Sequence, residues 1–358
     1  MRVVVDASGL GEGEALRGIG TYLRNLLGGL AAADDVDVVA LAPRSAVVPD
    51  GVARQDVRRL AHHRVKDAAR DFTLPHDFAR VDADVAHSPS FAAPRRVGAP
   101  WVQTVHDVTP LAFAHPVLAR EAARWRRAAP RLRRATATIA ISRSAADQAV
   151  RWLGIDPERI TVVHHGLAPH LRPGPRTEDV EPHVLVVASW GPHKGFVEAG
   201  GVLDGIVERG LPHRLRIVGP QDSWQRARIE DDLAHCRHRE RIDIMSYVPD
   251  LVQAYRDADA LICTSRAEGF GFPVLEAMGC GTPVVSFDNT SLPEVVGPDG
   301  LLVADGDVVA FATVLAALLS TPSLHDEQRE RGLAQAATFD ERASIDGHIA
   351  VYRAAVAG

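Results

Sequence analysis

Two glutamates, Glu268 and Glu276, flank a run rich in glycine and phenylalanine: Arg266-Ala-Glu-Gly-Phe-Gly-Phe-Pro-Val-Leu-Glu-Ala-Met-Gly-Cys-Gly-Thr-Pro-Val-Val285. Pro273 suits the first turn of a helix, where its missing N–H is not needed. Glu268 then falls in the loop before that helix and Glu276 in its first turn or so. Gly269 and Gly271 let the backbone turn tightly and approach a ligand closely. The N–H groups around Gly269, Phe270, Gly271 and Phe272, at the helix start, offer a seat for phosphate. Two carboxylates beside a phosphate would repel it unless they serve something else. An ionised carboxylate only accepts hydrogen bonds, so hydroxyls of a sugar and a ribose are the natural partners. That chemistry points to a nucleotide sugar. The plainer alternative is a Glu placed favourably on the helix dipole and a solvated loop Glu.

Other residues with chemical potential stand after apolar runs. Val187-Ala-Ser-Trp-Gly-Pro-His-Lys-Gly195 is a polar loop containing Ser189 and Lys194. An ammonium there can neutralise charge on a departing diphosphate. Thr104-Val-His-Asp-Val108 puts His106 just past a strand, and Gly18-Ile-Gly20 precedes a helical pattern. Each also has a structural reading: an exposed lysine, a hydrogen-bonding core histidine, a plain turn.

The elements that must carry these residues alternate along the chain. Val3–Val5, Val36–Leu41, Asp84–His87, Trp101–Val105, Ala137–Ile141 and Ile160–Val163 read as strands. A helix over Thr21–Ala33 has leucines at 23, 26, 27 and 30 on one face. Pro169–Pro182 has four prolines and no period, and reads as an interdomain linker. The alternation restarts with Val184–Val187, Arg214–Val218, Ile242–Met245, Leu261–Cys263, Val284–Ser286 and Leu301–Val303. The last segment, Glu341–Ala357, is a helix by its spacing of Ile345, Ile349, Tyr352 and Val356. The fold class is α/β, with two Rossmann-like halves and a ligand cleft expected between them.

With this frame in place, the Glu268–Glu276 stretch resembles the Glu-x7-Glu signature of retaining GT-B glycosyltransferases, the large family that includes bacterial mannosyltransferases and sucrose synthase. The resemblance covers nearly the whole chain. Arg17-Gly-Ile-Gly-Thr-Tyr-Leu-Arg-Asn-Leu-Leu27 is similar to the family's Gly-rich loop and first helix, so Gly18 and Gly20 are implied to face the donor phosphates. The family would put His106 beside the reacting sugar, Glu268 on the donor sugar, Glu276 on the ribose diol and Lys194 on the diphosphate. Backbone near Tyr247 and Val248 would border the nucleobase. Ser142 and Gly166 read as architecture, and Glu294 as structural. Two departures stand out: Ala188-Ser189 and His193 occupy places where many relatives carry arginine. Phe339-Asp340 stands where relatives show an aromatic pair including Trp.

The resemblance implies an N-terminal acceptor domain over residues 1–168, with helix 341–358 packing back on it. A C-terminal donor domain would span residues 183–338. The implied reaction moves a sugar, with retention, from a nucleoside diphosphate sugar to an acceptor hydroxyl on a sugar, a lipid-linked glycan or a small molecule. GDP-mannose is favoured over a UDP-sugar. No cofactor or metal is expected, since helix dipoles and Lys194 can replace a cation. Two alternatives remain: a sugar-nucleotide epimerase or phosphorylase on the same fold, and a non-catalytic nucleotide-sugar-binding subunit of a paired transferase.

Bulk properties agree with such an enzyme. At 358 residues the chain exceeds what one core usually holds. A net charge of −6 gives no support for a nucleic-acid partner. Cys236, Cys263 and Cys280 lack metal-like spacing and read as buried thiols, which fits a reducing, cytoplasmic compartment. No apolar run approaches the ~20 residues of a membrane span. Arg120–Arg134 carries arginines at 120, 124, 126, 127, 131, 133 and 134, and Arg54–Arg70 is also basic. That helix is either a peripheral contact for anionic membrane or a solvated Arg-rich face.

Overall fold

The computed structural model describes residues 1–11, 18–57, 73–89, 93–94, 97–219, 222–246 and 248–358. The chain divides into two compact units, Met1–Gly166 with Asp340–Gly358, and Leu167–Phe339. Each is built on one parallel sheet, as short, doubly buried apolar runs alternating with helices dictate.

In the first unit, strands β1 (Arg2–Asp6), β2 (Asp37–Ala42), β3 (Ala53–Asp56), β4 (Val85–Ser88), β5 (Trp101–Val105), β6 (Ala137–Ala140) and β7 (Ile160–Val162) lie in the order β3-β2-β1-β4-β5-β6-β7. β3 has no counterpart among the expected strands. It is a polar edge strand, Ala-Arg-Gln-Asp, so no apolar run announces it. The first helix runs Gly18–Ala31 and buries Leu23, Leu26, Leu27 and Leu30. It begins three residues earlier than its leucine pattern indicates. Gly18 and Gly20 therefore occupy its first turn and not a loop before it. Arg17 lies outside the described residues, as does most of the basic Arg54–Arg70 run.

The final helix, Glu341–Ala357, starts on an Asp340 cap that accepts from the Ala343 N–H at 2.6 Å. It packs against the first helix at Gly29, where a Cβ would stand 2.3 Å from Ile345 Cγ1. The arginine-rich helix spans Ala119–Leu132. Its apolar side is not free: Ala122, Trp125, Ala128, Ala129 and Leu132 are buried in one cluster with Trp101, Val105 and Leu153. What it presents outward is Arg120, Arg126 and Arg127.

In the second unit, β8 (His183–Val187), β9 (Arg214–Val218), β10 (Ile242–Met245), β11 (Ala260–Cys263), β12 (Val284–Asp288) and β13 (Leu301–Ala304) lie in the order β10-β9-β8-β11-β12-β13. Strand order reverses between β8 and β11, the position where open parallel sheets hold ligands. One core, including Val184, Phe196, Leu203, Ile217, Ile262, Phe287 and Phe311, fills this unit.

The proline-rich stretch 169–182 is irregular, as expected, but it is no loose tether. It belongs to the second unit and is bonded along the helix Leu251–Asp257. Arg176 donates to the Asp257 carbonyl and Asp259 carboxylate, the Thr177 N–H donates to Asp257, and Arg256 donates to the Arg172 carbonyl. The reason is electrostatic: a helix C-terminus rich in aspartate finds arginine and backbone donors in the passing chain. Cys236 and Cys280 are buried free thiols and Cys263 is partly buried. No single described helix is long and apolar enough to cross a membrane.

Candidate functional site

At the β8–β11 switch point two loops meet. The loop after β8 ends in Gly195, a left-handed residue with φ of 67°. Its missing Cβ would stand 1.8 Å from the Thr264 carbonyl oxygen, so only glycine allows this approach. The Thr264 hydroxyl donates to the Gly195 carbonyl at 2.8 Å, pinning the loop to the end of β11. The Arg266 N–H donates to the His193 carbonyl at 2.8 Å, a second tie.

The tied loops bring Lys194 to Glu268. Nζ donates to Oε1 at 2.7 Å, with the two side chains 23% and 15% exposed. Burial pushes the Glu268 carboxyl upward. The Lys194 charge and hydrogen bond, with a bond from the Ser265 hydroxyl, outweigh it and hold the carboxyl below its ordinary value. Ser189 stands half-buried earlier in the same loop.

The helix that follows begins at Phe272 with Gly271 as its left-handed N-cap, Pro273 in its first turn, and ends at Cys280. Glu276 therefore lies in the second turn. Its Oε2 accepts from the Tyr255 hydroxyl at 2.7 Å. Burial pushes its carboxyl up to about 7, against the lowering by Tyr255.

Three residues after β12 hold the glutamate loop from behind. Thr290 Oγ1 accepts from the Glu268 N–H at 3.0 Å, and the Ser291 hydroxyl donates to the Glu268 and Phe270 carbonyls. Asn289 donates to the Ser265 carbonyl at 2.9 Å. Thr290 adopts a φ of 46°, unusual for a β-branched residue. Of the stretch Asn289–Gly297 the family resemblance singles out only Glu294, as structural. The hydroxyls at 290 and 291 were the signal that a local hydrogen-bonding role existed. Arg266 is held by Asp305 and Glu198, and braces the same loop. Phe339 packs edge-on against Phe270, with centroids 5.7 Å apart.

Trp190, in the loop with Lys194, donates to Asp232 at 2.9 Å and meets Trp224 edge-on. Nothing in the spacing of these two tryptophans foretold that. Val248 is half-buried beyond β10, which is separated from β8 by β9. Tyr247 lies outside the described residues.

In the first unit His106 follows β5, half-buried, with its Nε2 3.1 Å from the Pro89 carbonyl. A carbonyl only accepts, so Nε2 carries the proton and Nδ1 the lone pair. Burial lowers its pKa to about 4, although Asp107 and the Pro89 bond act to raise it. The ring is therefore neutral at pH 7. It contacts Tyr22 of the first helix edge-on, with centroids 4.8 Å apart. Gly18 and Gly20 lie one turn earlier on that helix. Ser142 caps the helix Arg143–Gln148 through the Ala145 N–H, and Gly166 sits where a Cβ would strike Glu341. Among the described residues, no cluster of three His, Cys, Asp or Glu is placed to hold a metal ion.

Comparison with known proteins bears on both units. Residues 181–321 match the family model described as glycosyl transferases group 1, and residues 16–171 match that of glycosyltransferase family 4. A D-inositol 3-phosphate glycosyltransferase of Catenulispora acidiphila is 32% identical over 62% of this chain and 57% of its own length. O-antigen chain mannosyltransferase B of Escherichia coli is 45% identical over 27% of this chain and 26% of its own. A serotype-specific mannosyltransferase of Escherichia coli is 24% identical over 95% of this chain and 46% of its own. The chain thus spans about half the length, or less, of these curated relatives. Among solved structures, sucrose-phosphate synthase from Thermosynechococcus elongatus superposes with a TM-score of 0.84 at 19% identity, over 100% of this chain and 99% of that one. The Anabaena protein HepE, solved in complex with UDP-glucose, gives 0.73 at 17% identity over 98% of each chain. Sheet order and both family models agree: the second unit carries a group 1 glycosyltransferase domain, the first a glycosyltransferase family 4 domain, and the chain has the GT-B fold.

Proposed function

We propose that this protein is a retaining glycosyltransferase that moves a sugar from a nucleoside diphosphate sugar to an acceptor hydroxyl. One observation carries the reading. A cation (Lys194) meets a carboxylate (Glu268) just before the N-terminus of the helix Phe272–Cys280, at the switch point between β8 and β11, and the same helix carries the second carboxylate, Glu276. The helix end and Lys194 favour diphosphate, and the carboxylates favour hydroxyls. Glu276 would hold the ribose and Glu268 the transferred sugar. His106, a neutral ring, would orient that sugar near its reacting carbon, with Gly18 and Gly20 beside the phosphates.

In the proposed step the acceptor oxygen bonds to the anomeric carbon as the bond to the diphosphate oxygen breaks on the same face. The acceptor proton passes to the departing phosphate. No carboxylate needs to act as nucleophile, in contrast to glycosidases that retain configuration. Lys194 and the helix dipole supply the stabilising charge without a metal.

The mannosyltransferases among the relatives support GDP-mannose, and HepE with its UDP-glucose keeps UDP-sugars next. The acceptor is a sugar, a lipid-linked glycan or a small molecule. Were the acceptor lipid-linked, the outward arginines of Ala119–Leu132 would meet an anionic cytoplasmic membrane face by charge alone, since the helix's apolar side is packed. One observation favours the non-catalytic alternative: Lys194 is already committed to Glu268, and Ala188 and His193 add no strong cation. A thermal-shift panel of GDP-, UDP- and ADP-sugars followed by a released-nucleotide assay separates these cases. Stabilisation without nucleotide release in any acceptor mixture means a binding subunit; no stabilisation at all removes the donor reading.

A further inference from the structure

The first unit contains a buried polar chain that the proposed reaction does not use. Tyr22, His87, His348 and Tyr352 are each at most 3% exposed, as is Thr104. Five hydrogen bonds link them in series. The His348 Nδ1 lies 2.8 Å from the Ser344 carbonyl, and its Nε2 lies 3.0 Å from the Tyr22 hydroxyl. Tyr22 meets Thr104 at 3.1 Å, Thr104 meets His87 Nε2 at 2.8 Å, and His87 Nδ1 meets the Tyr352 hydroxyl at 2.8 Å.

The position of every proton follows from one end of the series. The Ser344 carbonyl only accepts, so His348 carries its proton on Nδ1. Both imidazoles are neutral, because burial holds their pKa values below the ordinary range. His348 Nε2 must then accept from the Tyr22 O–H. Tyr22 has no second proton, so Thr104 donates to it. Thr104 has then spent its own, so His87 donates from Nε2 and accepts from Tyr352 at Nδ1. Each donor is used once, and each contact is satisfied. A fully satisfied buried network of this kind selects one arrangement of its members.

Tyr22 is where that order reaches His106. Its ring meets His106 edge-on, with centroids 4.8 Å apart at 84°, and meets His165 at 5.2 Å. His165 in turn stacks over His106, with centroids 6.1 Å apart at 22°. We propose that Tyr22 and His348 are positioning residues for His106, and that the C-terminal helix, through His348 and Tyr352, is a working part of the reaction centre. The role rests on the assignment of His106 to the reacting sugar. It requires no contact between the network and substrate, only that the Tyr22 ring be held at one angle.

The test uses the full chain labelled with 15N-histidine, together with nucleotide release from GDP-mannose and UDP-glucose. Long-range 1H–15N spectra at pH 7 are expected to show His348 protonated on Nδ1, and His87 and His106 on Nε2. Tyr22→Phe keeps the ring but removes the link to Thr104 and His348. It should lower kcat about tenfold, leave KM for the donor within twofold, and move the His106 ring signals. Thr104→Val should act like Tyr22→Phe, whereas Thr104→Ser, which keeps the hydroxyl, should restore kcat in a folded protein. A His348 protonated on Nε2, or a Tyr22→Phe kcat within twofold of the parent, overturns the proposal. Unchanged turnover in His106→Ala would overturn the reading of His106 instead, and with it the positioning role, while the tautomers report the network independently.

Discussion

Lys194 and Glu268 form an ion pair at 2.7 Å although 74 residues separate them in the chain. The motif reading assigns them to different parts of a donor, one to diphosphate and one to sugar. The pair reconciles the two: each charge compensates the other, and a donor would compete for both.

Removing one partner should therefore cost more than removing both. Lys194→Ala leaves Glu268 largely buried without its cation, and about 1–3 kcal/mol of stability should be lost at pH 7. The Glu268→Gln variant in the same background should recover part of it, a non-additivity that urea unfolding reads directly. The pH dependence has a definite sign. Because Glu268 sits below its ordinary carboxyl pKa, the pair's contribution is complete above that ordinary value and disappears as pH falls through the depressed one. Parent and Lys194→Ala should accordingly converge in acid. Equal stabilities at pH 7 would count against the pair.

Glu276 behaves in the opposite sense. Its carboxyl is raised from 4.5 to about 7, so the folded protein holds a proton that the unfolded chain releases. Stability attributable to this site is greatest below pH 4.5 and declines as pH rises toward 7. Glu276→Gln keeps an acceptor for Tyr255 and removes the buried charge. Its melting temperature should exceed the parent's at pH 8, with the gap closing by pH 5, while donor affinity falls about tenfold or more. Such a trade of stability for binding is the mark of a functional site. A melting temperature unchanged across this range would refute the raised carboxyl.

The sheets and the loop-and-helix geometry around Glu268 were legible for different reasons. Trp101–Val105, Arg214–Val218 and Ile242–Met245 are runs whose limits are set by neighbouring turns, and Glu341–Ala357 has a regular apolar stripe. The motif around Glu268 is local in sequence, so its loop-and-helix geometry follows from glycine and proline stereochemistry. Three things were not legible. Ala53–Asp56 pairs at a sheet edge by its backbone alone. The Tyr22–His348 bond joins residues 326 apart, and no local pattern marks either as a partner. The support that Thr290 and Ser291 give to Glu268 depends on β12 lying beside β11.

His106 offers a test by its pH profile. With a pKa near 4, its ring stays neutral from pH 5 to 8, and kcat should show no inflection from this residue in that range. His106→Ala should lower kcat by a hundredfold or more with donor affinity kept within about threefold, as isothermal titration would measure. An equal loss in affinity would instead make His106 a binding residue.

The buried histidines also give the first unit an acid limit. His106 and His348 are lowered to about 4, and His87 and His165 lie well below their ordinary value, each chiefly through burial. The unfolded chain takes up protons near pH 6.5 that these folded rings refuse. Stability from this cluster is thus present above about pH 6.5 and is lost as pH falls toward 4, by up to about 1.4 kcal/mol per pH unit for each ring. Asp107, beside His106, acts to raise that ring. The Tyr22 and Tyr352 hydroxyls stay protonated, since burial raises both. Acid unfolding followed by histidine NMR should show these four signals leaving together with those of the helix Glu341–Ala357. Signals of the second unit that persist below the pH at which they vanish would locate the loss in this cluster, whereas simultaneous loss across the chain would assign it to the protein as a whole.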